Sequence, residues 1–421
     1  MVNSMKETEI GLIPSDWDIK KIEPCIGIVK SGKRLPKGYS LSDVPNSHPY
    51  IRVADMMMGH IDEGDIKYVP EEVVDVIEQY KIYDNDVYIS VAGTLGLVGK
   101  VPPRLNGANL TENANKITDI KCNQDYLMYW LMSNYIKRQI ESTQTIGAQP
   151  KLALERIRNF LVPLPSTEEQ NAIAETLSDV DELISVFEKE IEKKKNIKTG
   201  VMQRYLSGDE RLPGFTSKWD IKSIDELCVL VTKQTGFDYS AEIKPSLVQV
   251  NYNNTLPFLQ NKDFEGYKIN FDTDFYIPIS VAYKYPKILL DEVCLLISIS
   301  GRIGNAALFN NDRSAFVGGA VGVAKFKNSD LVEWAMLYLL SPNGQKMIFE
   351  NEKAGAQHNL TVEDVRNFSI PIPEKDERIA ITSMMADMEK DICQLEEKIN
   401  KYKNLKAGMM DDLLTGKIRL V

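Results

Sequence analysis

Histidine is nearly absent from this chain of 421 residues: His48, His60 and His358 are the only three, and their spacing suits no metal site. Cysteine is scarce too. The five thiols, at positions 25, 122, 228, 294 and 393, are scattered and odd in number, with no Cys-x-x-Cys pair. That argues against a zinc ribbon or disulfide frame and for reduced thiols in a cytoplasm. Long apolar runs are missing. The best, Ile288 to Ser300, is broken by Asp291 and Glu292 and falls short of the ~18 residues a spanning helix needs. The opening Met1–Glu7 is polar, with no secretory core. A cytoplasmic protein without membrane contact is therefore expected. Positive charge is in deficit, with 50 Lys and Arg against 60 Asp and Glu, a formal charge of −10. This is awkward for a nucleic-acid binder, although local patches matter more than the sum. At 43% hydrophobic and 26% charged, the chain can bury cores, and its length suits two or three domains.

Catalytic signatures are also lacking. No glycine-rich cofactor loop follows a first strand, and no acidic-Pro-Pro-aromatic motif is present; the one Pro-Pro, Pro102-Pro103, runs into Arg104. The segment Gly93–Lys100 looks like a phosphate loop. It has five residues between the outer glycines where four are needed, and Val101-Pro102 follows its lysine where Ser or Thr and a helix should. Its glycines read as turn residues. Glu242-Ile243-Lys244 matches half of a nuclease motif, at a length that arises often by chance. The composition points to a binder without a catalytic site.

What the chain does have is itself, twice. Gly147-Ala148-Gln149 returns as Gly355-Ala356-Gln357, Arg158-Asn159-Phe160 as Arg366-Asn367-Phe368, and Pro163-Leu164-Pro165 as Pro371-Ile372-Pro373, each pair 208 residues apart. Trp17-Asp18-Ile19-Lys20 and Trp219-Asp220-Ile221-Lys222 are 202 apart, so a six-residue length difference falls between Ile22 and Pro49. Each copy reads as β-branched strands (Val87–Val91, Leu295–Ile299), glycine turns (Gly93–Gly96, Gly301–Gly304) and a short helix (Asp125–Ser133, Glu333–Ser341). The Gly-Ala-Gln turn, an Arg-Asn-Phe strand and a Pro-x-Pro brake follow. An α/β or α+β globule of about 150 residues per copy is expected.

After each Pro-x-Pro the period changes to a heptad seam. The first copy carries Ile173, Leu177, Val180, Ile184, Phe187 and Ile191; the second carries Ile381, Met385, Met388, Ile392, Leu395 and Ile399. Ser166 or Thr167 is the N-cap, and Gly208 and Gly416 are the stops. Such helices are roughly 55–60 Å long. Two matching seams predict an antiparallel two-helix coiled coil within the chain, with two globules in a pseudo-two-fold tandem repeat. The segments are 1–165, a recognition domain; 166–207, a first helix; 208–373, a second recognition domain; and 374–421, a second helix. The lysines at 189, 193, 194, 195 and 198 read as a solvated face paired with Glu188, Glu190 and Glu192.

These residues resemble a known family, the specificity subunit of type I restriction–modification enzymes. Glu9-Ile10-Gly11-Leu12-Ile13-Pro14-Ser15-Asp16-Trp17 and Leu212-Pro213-Gly214-Phe215-Thr216-Ser217-Lys218-Trp219 look like its two domain starts, and the order of parts matches over essentially the whole chain. The second copy departs at Arg378, where the first has Gln170. The resemblance implies that each globule is a target-recognition domain reading half of a bipartite, asymmetric site in double-stranded DNA. The helices would set the gap and dock two modification (methyltransferase) subunits, with restriction (endonuclease/translocase) subunits joining. This chain would hold no cofactor; S-adenosylmethionine, ATP and Mg²⁺ would belong to the partners. A coiled-coil scaffold and a fused DNA-modifying enzyme are the alternatives.

The stretches 29–46 and 231–253 differ between copies while the framework coincides, so basic and amide residues in divergent loops are the candidates for DNA contact. They are Lys33, Arg34, Arg52 and Lys100 in the first copy and Lys233, Gln234, Arg302 and Arg313 in the second; Thr94 joins them because, like Arg302, it sits on a glycine turn that lets the backbone approach a partner, and Gln149 and Gln357 because they recur at one position in both copies.

Overall fold

A computed structural model describes residues 4–142, 151–310, 312–350 and 359–420. The chain forms two compact units, one built from residues 1–188 with 397–421, the other from 189–396. Each long helix contributes to both.

In the first unit an antiparallel four-stranded sheet runs in the order Ile28–Ser31, Ala114–Thr118, Val87–Ser90, Val98–Lys100. A second, mixed sheet joins Lys67–Tyr68, Pro49–Ile51, Ala108–Leu110 and Lys81–Ile82, with Pro49–Ile51 and Ala108–Leu110 parallel. The second unit repeats this topology. Its first sheet is Cys228–Lys233, Val321–Phe326, Cys294–Ser298, Ala306–Phe309. Its second is Tyr276–Pro278, Thr255–Leu259, Ala315–Val317, Leu289–Leu290, again with the middle pair parallel. The sequence repeat is thus a repeat of topology. The short helices Gln124–Leu131 and Val332–Leu340, polar only in their first turns and at Tyr side chains, are mostly buried and carry Trp130 and Trp334 into the cores.

One expected strand is different. Arg158 ends a helix, Leu154–Arg158, and Asn159 caps it; the strand is Leu161–Leu164 and contains Pro163. The second copy does the same, with Val362–Arg366 helical and Ser369–Ile372 extended. Proline is tolerated because each strand has a single neighbour, Asp18–Lys21 or Asp220–Ser223, and the missing N–H can face away from it. The Gly-Ala-Gln segments lie outside the described residues.

The long helices are Thr167–Tyr205 and Lys375–Leu414. Ser166 Oγ accepts from the Glu169 N–H at 3.2 Å, the N-cap read from the sequence. Within the first unit Asp181 pairs with Lys406 and Glu188 with Lys403; within the second, Lys195 pairs with Glu396 and Lys198 with Glu389. Partner numbers fall as the first helix advances, so the helices run antiparallel in both. Lys194, Lys195 and Lys198 thus reach across to Asp391, Glu396 and Glu389 instead of pairing along their own helix. Of the seam residues, Ile184, Phe187, Ile191, Ile392 and Ile399 are buried, while Val180, Met388 and Leu395 are half-buried. Ile173 and Leu177 join the first globular core, and Ile381 and Met385 the second.

A clasp seals each unit. In the first, Glu169 accepts from the Trp17 indole at 3.1 Å and from Arg419 at 2.7 Å, and Arg419 also reaches Asp16 at 3.0 Å. In the second, Glu377 accepts from the Trp219 indole at 2.9 Å and from Arg211 at 2.6 Å. Both glutamates are wholly buried. The arginines reach them because Gly208 and Gly416 turn the chain after each helix with positive φ; a side chain would crowd Trp219 at the first and collide with Pro14 at the second. Arg211 and Arg419 are 208 residues apart, so the repeat extends into these tails.

Candidate nucleic-acid interface

The parallel strand pair decides where loops gather. Phe258 aligns with Phe316 and Leu259 with Val317, so the chain leaves both strands at one edge of the sheet. Gln260-Asn261 and Gly318-Gly319-Ala320 emerge there, held by a hydrogen bond of 2.8 Å from the Gly318 N–H to the Leu259 carbonyl. The loop after Cys228–Lys233 completes the mouth: Thr235 Oγ1 accepts from the Asp238 N–H at 3.2 Å and fixes a tight turn. Between these segments lies an open cavity of about 580 Å³, lined by Lys233, Gln234, Tyr239, Phe258, Gln260, Asn261 and the two glycines, with Lys233 its one charged lining residue. Gln234 is 3% exposed, and neither atom of its amide has a hydrogen-bond partner within the protein. Phe237, on the same loop, is 82% exposed. Asn261 donates to the Ser300 carbonyl at 2.8 Å, tying the cavity to the Gly301–Gly304 turn. At that turn Arg302 is exposed and pairs with Glu265 at 3.2 Å. Arg313 is exposed and stacks on Phe271, 3.9 Å from the ring centroid.

The first unit closes the corresponding place. Ladder register aligns Ser31 with Lys233, so Gly32 stands where the second unit has Gln234. A side chain on Gly32 would collide with the carbonyl oxygens of Leu110 and Thr111. Thr111 and Glu112 occupy the positions of Gly318 and Gly319. Lys33 and Arg34 are exposed, with the Lys33 ammonium 5.7 Å from the Tyr80 ring. Thr94 is exposed at its turn, where its carbonyl accepts from Ser90 Oγ at 2.5 Å. Two candidates are committed elsewhere. The Arg52 guanidinium is held by Asp55 and Asp65, and the hydrogen bond to Asp55 pushes its pKa further up. Lys100 pairs with Asp125. Gln149 and Gln357 lie outside the described residues.

The structure brings Lys233 and Gln234 together at one cavity, with Arg302 at the neighbouring turn. It adds Gln260, Asn261, Gly318, Gly319 and Phe237, which the sequence reading passed over. The signal was there: Gly318-Gly319 replaces Thr111-Glu112 inside an otherwise matching framework. The catalytic look-alikes resolve into structural pairs. Lys100 lies on a strand, and Glu242 accepts from Tyr285 at 2.9 Å and pairs with Lys284. Burial pushes the Cys228 and Cys294 thiols up to about 12, which suppresses the thiolate. Among the described residues no group of three His, Cys, Asp or Glu could hold a metal ion, and no helix is long and apolar enough to cross a membrane.

Fold and loops define a tandem α/β protein whose two copies share a scaffold and differ at their loop mouths. The sequence profile of the type I restriction modification DNA specificity domain matches residues 14–197 and again 216–402, and the chain belongs to this family. It is 25% identical over 431 residues to the type I restriction enzyme MjaVIII specificity subunit of Methanocaldococcus jannaschii, covering 97% of this chain and 94% of that one. Its fold is similar to that of the type I restriction–modification S subunit from M. genitalium, with a TM-score of 0.54 at 14% identity over 98% of this chain and 99% of that one. A further chain, solved in work on assembly and conformational transition of a type I restriction–modification system, superposes with a TM-score of 0.53 at 17% identity, covering 96% and 99%.

Proposed function

We propose that this chain is the DNA-recognition subunit of a type I restriction–modification complex. Each unit reads one part of a bipartite, asymmetric site, and the paired helices set the gap and dock two modification subunits and the restriction subunits. The observation that carries this reading is one scaffold repeated with chemically different loop mouths, in a chain matched twice by the specificity-domain profile. Shared scaffold suits the repeating duplex backbone; divergent loops suit the bases. Half-sites read from one face of DNA lie about 34 Å apart, within the span of a helix of roughly 58 Å. The chain has no catalytic role of its own and works in the cytoplasm; S-adenosylmethionine, ATP and Mg²⁺ are bound by the partners. Its net charge of −10 fits this division, since cationic surface for the rest of the duplex then comes from the modification subunits.

The test is methylation of a randomised duplex library by the purified chain assembled with its modification subunits. One two-part motif with a fixed gap is the expected product. Methylation of all duplexes alike would sink the reading. Alone, the chain is expected to bind DNA weakly and with strong salt dependence.

A further inference from the structure

Gln234 is the one buried glutamine side chain among the described residues with neither amide atom satisfied. A buried, unpaired amide costs stability, because its lost hydration is not replaced. The fold does not require it: the first unit makes the same strand end with Gly32. The second unit holds the amide at the wall of a cavity, facing Gly319, where a Cβ would lie 3.4 Å from the amide oxygen. The lining is the wrong chemistry for phosphate, which asks for several cations. It suits a base edge, since Gln234, Gln260 and Asn261 each offer a donor and an acceptor, and Tyr239 and Phe258 supply flat apolar walls. Phe237 projects into solvent from the same short loop, an aromatic face with nothing of its own unit to cover it.

We propose that the Gln234 loop enters the DNA groove and that the Gln234 amide, swinging out of its buried position into the adjoining cavity, reads an adenine in the half-site of the second unit. Its N–H₂ donates to adenine N7 and its carbonyl accepts from the N6 amino group, the paired match that glutamine makes with this base. Phe237 packs against the neighbouring base or sugar and holds the loop in place. This rests on the DNA-recognition reading and assigns one position of the motif to one side chain.

The test uses the chain assembled with its modification subunits and the duplex library. The wild-type complex defines the motif. With Gln234→Met, which keeps size and removes the amide, preference for A·T at one position of one half-site should fall roughly tenfold or more, with every other position retained. Replacing that adenine by 7-deazaadenine should weaken the wild type similarly and leave the variant unmoved. Melting of Gln234→Met should be no lower than wild type, because an unpaired amide has been removed. An unchanged motif would overturn the assignment, as would equal weakening on all sequences or a loss spread over both half-sites. A wild-type complex without any motif would instead remove the reading beneath it.

Discussion

Gly32 and Gln234 occupy one position of one scaffold, and the two units make opposite use of it. In the first the main chain of Leu110 and Thr111 presses against the strand end, which only glycine permits. In the second the strand end carries an amide that is buried without a partner in the protein, and Gly319 faces it, where a Cβ would lie 3.4 Å from the amide oxygen. Both sheets keep their ladders while the surface chemistry changes. Packing constrains pairs of positions, and a recognition surface can therefore differ within an unchanged frame.

The largest test of that shared frame is the clasp. Arg419→Ala in the first unit and Arg211→Ala in the second each strand a buried glutamate, and each should cost about 3 kcal/mol, at the low end for a buried pair because the guanidinium reaches solvent. Denaturant unfolding checks this; a loss in one variant and none in the other would break the equivalence of the two clasps. A sharper contrast follows from two lysines. Lys116 is buried against Asp86 at 3.2 Å, whereas Lys325 meets Asp291 and Glu292, both exposed. Lys116→Met should destabilise by about 2–3 kcal/mol, and Lys325→Met by less than about 1 kcal/mol, since its acids regain water.

Acid should act through the helix pair of the second unit. Burial alone would raise Glu389 and Glu396, but hydrogen bonds from Lys198 to Glu389 and from Lys195 and Lys268 to Glu396 outweigh it, and both carboxyls lie below the ordinary glutamate value. Groups depressed in the folded state stabilise it above the ordinary value, and that contribution is lost as pH falls through the folded pKa. Thermal melts below the ordinary glutamate value should therefore drop further in wild type than in Lys198→Met, and parallel curves would count against the cluster. The smallest effect is expected in the first unit, where Lys403 and Glu188 pair at 2.8 Å with both side chains about half exposed. Lys403→Ala should change stability by no more than about 0.5 kcal/mol.

Much of the fold was legible because its signals are local. The heptad seam, the Ser166 cap and the glycine turns each lie within a few residues and follow from backbone and side-chain geometry. Repetition added long-range information, since two segments in one register must share a topology. The rest depended on contacts that no window contains. Arg419 reads as a tail residue until Glu169 is placed beside it. Arg52 and Lys100 read as free cations until Asp65 and Asp125 come into reach. Gln234 is legible as an amide in a divergent loop, but its burial, and the glycine that faces it, required the sheet. Proline in the Leu161–Leu164 strand was misread because a sequence does not say that a strand has only one neighbour.

The discontinuous make-up of the first unit has a consequence for synthesis. Its core includes Leu413 and Leu414, and its clasp closes with Arg419, so the part of the protein that is made earliest must wait for residues about 250 positions beyond its last strand, Leu161–Leu164. The second unit, residues 189–396, is continuous and has everything it needs sooner. Maturation then runs against the order of translation. A chain truncated after residue 396 would carry a finished second unit and an open first one, and pulsed proteolysis of it would cut in the N-terminal sheets.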